Sequence, residues 1–383
     1  MKKICIFIGS RANYSSIKAV MRAIQKHPEL ELQVVAGASA VLDRYGSVIN
    51  LIEQDGFSVV ARVHMLIEGE TPTTMAKSTG LGLIELPTIF ESIKPDIVLT
   101  VGDRFETMAT TLAAAYMNIP IAHTMGGEVS GTIDESIRHA ITKFAHIHFP
   151  ASRDAYERIV KLGEPEPSVH LVGCPRMDLV AEMLSVSRSE VDESIFRLGV
   201  GDRVDIDKPF VLVSQHPVTT EYGTGREQIT ATLQAVKNIG LPAIVLWPNA
   251  DAGSDDIAKG IRIWREKGLD TDMHFFKNLP ISTYVQLMKR TKCLVGNSSS
   301  GIREGAFIGT PVVNIGTRQA GRERGSNVID TGNDADEIAS AIQKQLSHGP
   351  YGFEPIYGDG TAGEKIADIL SRTVVQLQKR ITY

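Results

Sequence analysis

The sequence predicts an α/β protein made of two doubly wound domains, on three observations. Short aliphatic and β-branched runs alternate with helical patterns along the chain. Those runs are continuously apolar, as strands are when helices cover both faces of a parallel sheet. A length of 383 residues corresponds to about two domains. Composition agrees with a soluble globular chain, at 43% hydrophobic and 22% charged residues. A net charge of −5 and a pI near 6.1 argue against a general nucleic-acid or anionic-membrane partner.

Taken in order, Met1-Lys2-Lys3 and the run Ile4 to Gly9 read as a first buried strand. The run is too short for a secretion signal and ends at Ser10-Arg11. Strand Ile4–Ile8 leads to helix Tyr14–Lys26, Leu32–Ala36 to Val41–Asp55, and Phe57–Val63 to a helix from Thr74 to Ser92. Strands Asp96–Val101, Ile119–His123, His146–Pro150 and Val169–Val172 continue the alternation. The charged segment Ser185 to Lys208 breaks the pattern and marks a junction, giving domains 1–185 and 186–363. The second repeats the scheme with Phe210–Ser214, Ala243–Trp247, Met273–Phe276, Cys293–Gly296, Val312–Ile315 and Val328–Ile329. A final amphipathic helix, about Glu364 to Lys379 within 364–383, is placed to join the first domain. No run approaches the ~18 apolar residues of a membrane span. The three cysteines, Cys5, Cys174 and Cys293, are far apart and lack C-x-x-C spacing, which suggests neither a disulfide framework nor a zinc site. The cytoplasm is the expected location.

Thr100 to His139 concentrates ionisable and glycine residues. Strand Asp96–Val101 ends in Gly102-Asp103-Arg104-Phe105, and strand Ile119–His123 is followed by Gly126-Gly127-Glu128. A further element opens with Asp134-Glu135 and continues to Arg138-His139. Both strands meet their polar cluster at the carboxyl end, where open parallel sheets take ligands. Asp103, Glu128 and Asp134 then form a carboxylate group suited to proton transfer, because crowding or desolvation tunes carboxyl pKa values. The plainer reading of the last element is a capping box from Thr132 and Glu135, with i,i+4 pairs Asp134–Arg138 and Glu135–His139.

Two further turns suit an anion. Gly9-Ser10-Arg11 follows a strand and opens a helix, as does Asn297-Ser298-Ser299-Ser300-Gly301, with Glu304 one turn on. Each is also readable as an ordinary cap, Ser10 in the first case. In the second turn, the serines outnumber the needs of one cap and Glu304 is placed to accept ribose hydroxyls. His216, in Gln215-His216-Pro217, is a third anion contact. There is no G-x-G-x-x-G, so a dinucleotide cofactor is not expected. His146 and His148 share a strand face, yet lack a third ligand at metal spacing.

Gly9-Ser10-Arg11, Gly102-Asp103-Arg104-Phe105, the stretch Gly126 to His139, Gln215 to Thr220, Asn297-Ser298-Ser299 and Gly316-Thr317-Arg318-Gln319 together resemble the hydrolysing UDP-N-acetylglucosamine 2-epimerases of sialic-acid and related nonulosonate pathways. The likeness covers nearly the whole chain. It implies the GT-B fold, two Rossmann-like doubly wound domains with the active site in the cleft between them, and no metal or redox cofactor. It implies UDP contacts at Arg11, Ser15, His216, Asn249, Lys277, Ser298, Ser299, Glu304 and Arg318, and acid/base roles at Asp103 and Asp134. Glu128 joins these as a third catalytic carboxylate, and Arg104, His123, Arg138 and His139 complete the expected substrate contacts. Several family members carry a glutamate where this chain has Met125. A thioether moves no proton, so Glu128 or His123 is expected to take that part.

The resemblance implies conversion of UDP-N-acetylglucosamine and water to N-acetylmannosamine and UDP. This would proceed by anti elimination of UDP and syn hydration of a 2-acetamidoglucal, in a homodimer or homotetramer. Competing readings are a hydrolysing 2-epimerase of UDP-2,4-diacetamido-2,4,6-trideoxyglucose for legionaminic acid synthesis, a GT-B glycosyltransferase, and a nucleotide-sugar sensor without turnover.

Overall fold

The protein is described by a computed structural model that covers residues 1–43, 47–68, 71–129, 133–185, 199–248, 253–277 and 279–382. Two compact units emerge. Unit 1 holds Met1–Val129, Ile133–Leu179 and Tyr357–Tyr383, and unit 2 holds Val180–Ile356.

Unit 1 alternates strand and helix: β1 (Lys2–Ile8), α1 (Arg11–Lys26), β2 (Leu30–Gly37), α2 (Val48–Gln54), β3 (Val59–Val63), α3 (Pro72–Ile93), β4 (Ile97–Val101), α4 (Phe105–Tyr116), β5 (Ile121–Thr124), α5 (Ile133–Phe144), β6 (Ile147–Phe149), α6 (Arg153–Lys161) and the first half of α7 (Pro175–Leu184), up to Leu179. Its six strands are all parallel in the order β3-β2-β1-β4-β5-β6, the two-way winding of a Rossmann-like sheet. Strands β4 and β5 are buried along their whole length, which is why they read as unbroken apolar runs. Cys5, Phe7, Val98 and Ile121 pack on one face against Leu86, Phe90, Ala109 and Ala113 of α3 and α4.

The first strand of unit 2 is short, β7 (Gly199–Gly201), and the unit continues with β8 (Val211–Ser214), α8 (Gly225–Ile239), β9 (Ala243–Leu246), α9 (Ser254–Glu266), β10 (Met273–Phe276), α10 (Ile281–Arg290), β11 (Cys293–Gly296), α11 (Ser299–Ile308), β12 (Val312–Ile315), β13 (Val328–Thr331) and α12 (Ala335–His348). The order is β13-β12-β11-β8-β9-β10-β7, parallel except that β7 runs antiparallel to β10 at one edge. Successive residues of β8 serve opposite cores. Val211 and Val213 face Ile229, Leu233 and Ile342, whereas Leu212 faces Leu287 and Leu294. A last helix, α13 (Ala362–Arg372), lies in unit 1 and packs on α1.

Four elements differ from their sequence-based outlines. The helix expected over Val41–Asp55 is a short 3-10 turn, Ala38–Val41, then α2, with residues 44–46 outside the described set. The strand expected over Val169–Val172 is a single bridge between Val169 and His148. The expected junction contains β7, while residues 186–198 lie outside the described residues. The final helix ends at Arg372, not Lys379, because the Lys2 ammonium takes the carbonyls of Leu370, Ser371 and Thr373 at 2.8 to 2.9 Å and closes its last turn.

The other end of α13 rests on one carboxylate. Asp178 accepts from Ala362 N at 3.0 Å and Gly363 N at 2.7 Å, while Gly363 lies so close to the Ala19 backbone that a Cβ would sit 2.9 Å from it. We predict that Asp178→Ala destabilises unit 1 by about 1.5–3 kcal/mol, the range for hydrogen bonds to a charged group. The check is the urea midpoint by circular dichroism, and an unchanged midpoint would remove Asp178 from the packing of α13.

Candidate active site

In unit 1 the strand order reverses between β1 and β4, the switch point beside which such sheets take ligands. Two loops at the carboxyl ends of β4 and β5 converge there on one side chain. Arg138, in the second turn of α5, is only 4% exposed. Its Nη1 donates to Glu128 O at 2.7 Å, and its Nη2 is hydrogen-bonded to Asp103 Oδ2. A guanidinium presents its donors as a rigid fork, so one residue sets the Asp103 carboxylate and the Glu128 backbone in register. Glu128 is itself buried. Asp134 stands one turn before Arg138 on the same helix, half-buried in the first turn, where a negative charge is favoured. His139 pairs with Glu135 across 3.6 Å. Thr132, proposed as a cap, lies outside the described residues.

His123 was expected to touch substrate, but the structure places it behind the site. It is fully buried, its Nε2 lies 2.9 Å from Gly102 O, and its Nδ1 lies 3.4 Å from Thr142 Oγ1. A carbonyl only accepts, so Nε2 carries the proton, and burial pushes the imidazole pKa down to about 3. His123 is therefore a neutral strut under the Asp103 turn. Met125 is buried too, with its sulfur 3.8 Å from Cys174 Sγ and its backbone at φ +59, unusual for a methionine. The chain past it is pinned at Gly127, whose carbonyl accepts from Arg158 at 2.6 Å. With φ at +77 and Ala155 O only 2.3 Å from where a Cβ would lie, that position accepts only glycine.

The Gly9-Ser10-Arg11 turn of unit 1 is tied to β4 by Asn13, whose importance the sequence did not reveal. Its Oδ1 accepts from Gly9 N at 3.3 Å and its Nδ2 donates to Val101 O at 3.1 Å. Ser10 is the cap of α1, accepting from Asn13 N at 3.2 Å. Arg11 is exposed on the first turn, and the Ser15 hydroxyl donates back to Arg11 O at 2.9 Å. Arg104 caps the start of α4 and donates from Nε to the buried Glu106 at 2.9 Å. Glu106 packs so tightly under Gly9 that a Cβ there would come within 2.4 Å of its Cγ.

Unit 2 repeats the plan at its own switch point, between β8 and β11. The hub is Asn297, 1% exposed. Its Oδ1 accepts from His216 N at 2.7 Å and its Nδ2 donates to His216 O at 2.8 Å. The Asn297 carbonyl accepts from Arg318 Nη1 at 3.1 Å and from Gln319 Nε2 at 2.9 Å. One buried residue, through its side-chain amide and its backbone carbonyl, thus brings three predicted elements together: His216, the serine turn and the Arg318 loop. Ser298 caps α11, Ser299 begins it, and Ser300 Oγ bridges Ser298 Oγ at 2.8 Å and the Tyr284 hydroxyl at 2.5 Å. The extra serines are therefore a relay to Tyr284, another residue sequence reasoning missed. Glu304 is buried one turn into α11, and Lys277 is exposed just past β10. Burial and then the Arg318 charge push His216 down to about 3. Asn249, expected as a UDP contact, lies outside the described residues.

His146 and His148 make hydrogen bonds: His146 with Leu377 O at 3.1 Å, and His148 with Glu164 at 3.1 Å. Among the described residues no cluster of His, Cys, Asp or Glu is arranged to hold a metal, and no helix is long and apolar enough to cross a membrane.

Two Rossmann-like units, each with hydrogen-bonding groups at the switch point of its sheet, define a protein of the GT-B class. The profile of the family described as UDP-N-acetylglucosamine 2-epimerase matches residues 22–371, and the chain belongs to that family. A Legionella pneumophila protein named UDP-N,N'-diacetylbacillosamine 2-epimerase (hydrolyzing) is 32% identical over 370 residues, 97% of this chain and 96% of its own. A Neisseria meningitidis serogroup B protein named UDP-N-acetylglucosamine 2-epimerase is 30% identical over 386 residues, 99% and 98% of the two chains. The crystal structure of UDP-GlcNAc 2-epimerase from Neisseria meningitidis bound to UDP-GlcNAc matches with a TM-score of 0.81 at 18% identity, covering 97% of this chain and 100% of that one.

Two imidazoles with pKa values moved from 6.5 to about 3 give a pH signature. Between those limits the unfolded chain binds protons that the folded chain does not, so stability falls as pH falls through that window. Nitrogen-15 imidazole spectra should show His123 and His216 neutral at pH 5, and a midpoint near 6.5 for either would contradict the burial described here.

Proposed function

We propose that this protein is a hydrolysing UDP-N-acetylglucosamine 2-epimerase, converting UDP-N-acetylglucosamine and water to UDP and N-acetylmannosamine. The observation that carries the reading is the Arg138 clamp, which sets Asp103 against the Glu128 loop with Asp134 one turn away, in a chain of the epimerase family. In the first step a carboxylate takes the C2 proton, the anomeric C–O bond breaks, and UDP leaves with the bonding electrons, giving a 2-acetamidoglucal. In the second, water adds to C1 and loses a proton to a base, while an acid returns a proton to C2 on the opposite face. Both steps call for positioned acids and bases on two faces of one ring, and Asp103, Glu128 and Asp134 supply them.

The departing diphosphate needs donors already aimed at it. The family resemblance assigns that role to Arg11 and the start of α1 and to Ser298, Ser299 and Arg318, with Ser15, Arg104, His139 and Lys277 as further contacts and Glu304 for the ribose. His216, neutral at physiological pH, acts as a hydrogen-bond donor and not as a cation. Buried Met125 contributes no proton, which leaves Glu128 as the proton-transfer group of the β5 loop. Three buried free thiols fit a reducing cytoplasm.

A second reading keeps the chemistry and changes the sugar to UDP-2,4-diacetamido-2,4,6-trideoxyglucose. It is favoured by the Legionella relative and by an apolar Met125 beside the carboxylate loop. A glycosyltransferase is disfavoured by the family match and by the carboxylates, for which a transferase has no evident use.

Proton NMR of the protein with each UDP-sugar in turn tests the proposal. Equal amounts of UDP and free N-acetylmannosamine from the first sugar are expected. Turnover of only the second would move the substrate assignment, UDP-linked epimer as sole product would refute hydrolysis, and two intact sugars would refute the enzyme reading. Asp134→Asn should lower kcat by roughly 10²–10⁴-fold, the usual weight of a general acid or base, with UDP affinity by calorimetry unchanged. A matching loss of affinity would make Asp134 a binding group instead.

A further inference from the structure

The chain past α13 is irregular, bends at Leu377 and Gln378, and runs back over unit 1. It is fastened at separate points. His146 Nε2 donates to Leu377 O at 3.1 Å, and Thr382 donates to Gly163 O from Oγ1 at 3.0 Å and from its amide at 3.3 Å. Between them Lys379 enters the protein. Its ammonium pairs with Glu164 Oε2 at 2.6 Å, donates to Lys143 O at 2.8 Å and Thr142 O at 3.3 Å, and bonds Ala145 O. These carbonyls belong to the last turn of α5 and the residues that leave it, where a helix is short of partners and favours a cation.

Glu164 is the other half of the lock. It is fully buried in the loop after α6 and also holds Lys143 at 2.6 Å and His148 at 3.1 Å. Burial raises its pKa, but hydrogen bonds from His148, Lys143 and Lys379 outweigh that and leave it at about 2, so it is charged throughout the working range. The far ends of α5 and α6 are therefore tied at one buried carboxylate. Both helices also hold the carboxylate loop: Arg138, midway along α5, holds Asp103 and Glu128 O, and Arg158, in the last turn of α6, holds Gly127 O. Two helices tied at one buried carboxylate and both holding the same loop make that loop's position depend on the joint.

We propose that Lys379, brought in by the C-terminal strap, is a positioning residue for the catalytic loop, acting through Glu164 and helices α5 and α6 on Asp103, Glu128 and Asp134. The proposal rests on the epimerase reading for its effect on rate, and on geometry alone for its effect on the loop. The tail's own surface needs no such fastening, since Val374 is 91% exposed and Leu377 and Ile381 are half in solvent.

The test is Lys379→Met in the full chain, with Lys379→Arg as the conservative variant. Lys379→Met is expected to lower kcat on the order of ten- to a hundredfold, as a small displacement of reacting groups does. KM and UDP affinity should stay within about twofold, the pattern of a transition-state defect. Amide hydrogen exchange should quicken at 126–129 and 133–144, and Lys379→Arg should restore most of the rate. If Lys379→Met does not fold because Glu164 is left under-paired, Glu164→Gln with Lys379→Met removes both charges and makes the same test. Unchanged kcat in a folded variant, or quickened exchange confined to 373–382, would overturn the proposal. Should the wild-type protein turn over neither sugar, the functional reading fails, and the exchange pattern still decides the positioning claim.

Discussion

Everything at the carboxyl ends of β4 and β5 depends on one buried cation. Arg138 has almost no contact with water, so its charge must be answered inside the protein, and Asp103 with the Glu128 carbonyl answers it. This explains the details around it. Gly127 has to be glycine because its loop is drawn against Ala155 on α6, and His123 has to be neutral because it is fully buried beneath the same turn, the guanidinium adding a smaller push in the same direction. The arrangement uses charge to set geometry. A buried ion pair adds little net stability by itself, but it permits few alternative loop conformations.

The two units solve the same positioning problem with a buried asparagine. In unit 1 Asn13 joins the Gly9 amide to the Val101 carbonyl, across the switch point of the sheet. In unit 2 Asn297 joins both backbone groups of His216 to the turn that opens α11. A primary amide suits this task because it offers a donor and an acceptor at a fixed spacing and carries no charge that would need a counter-ion. Each such bond contributes about 1 kcal/mol, but their larger effect is to fix loops that would otherwise be free to move at the turns proposed to hold an anion.

The strands were legible because parallel strands covered on both faces are unbroken apolar runs, and Met273–Phe276, Cys293–Gly296 and Val312–Ile315 have the limits their patterns suggest. Strand β7 was not, since three residues with two glycines at an antiparallel edge carry no such run. The final helix is shorter than the expected span to Lys379, because the Lys2 ammonium, 368 residues away in the chain, ends it at Arg372. In the candidate site, residue types and motif positions were legible, while their division of labour was not. Nothing in the local sequence distinguishes a histidine under a turn from one at its surface, or marks Asn13 and Asn297 as hubs, because those roles are set by partners up to 88 residues away in the chain.

The central claim is that the groups held by Arg138 exchange a proton at the sugar's C2. It is tested most directly by running the reaction in D2O with the wild-type protein and with Arg138→Met, and reading deuterium at C2 of the product by NMR. The proposed mechanism predicts one deuterium at C2 with the wild type, and in the variant a UDP affinity like that of the wild type with almost no exchange or product. Retention of the original hydrogen at C2, or full turnover by Arg138→Met, would contradict it.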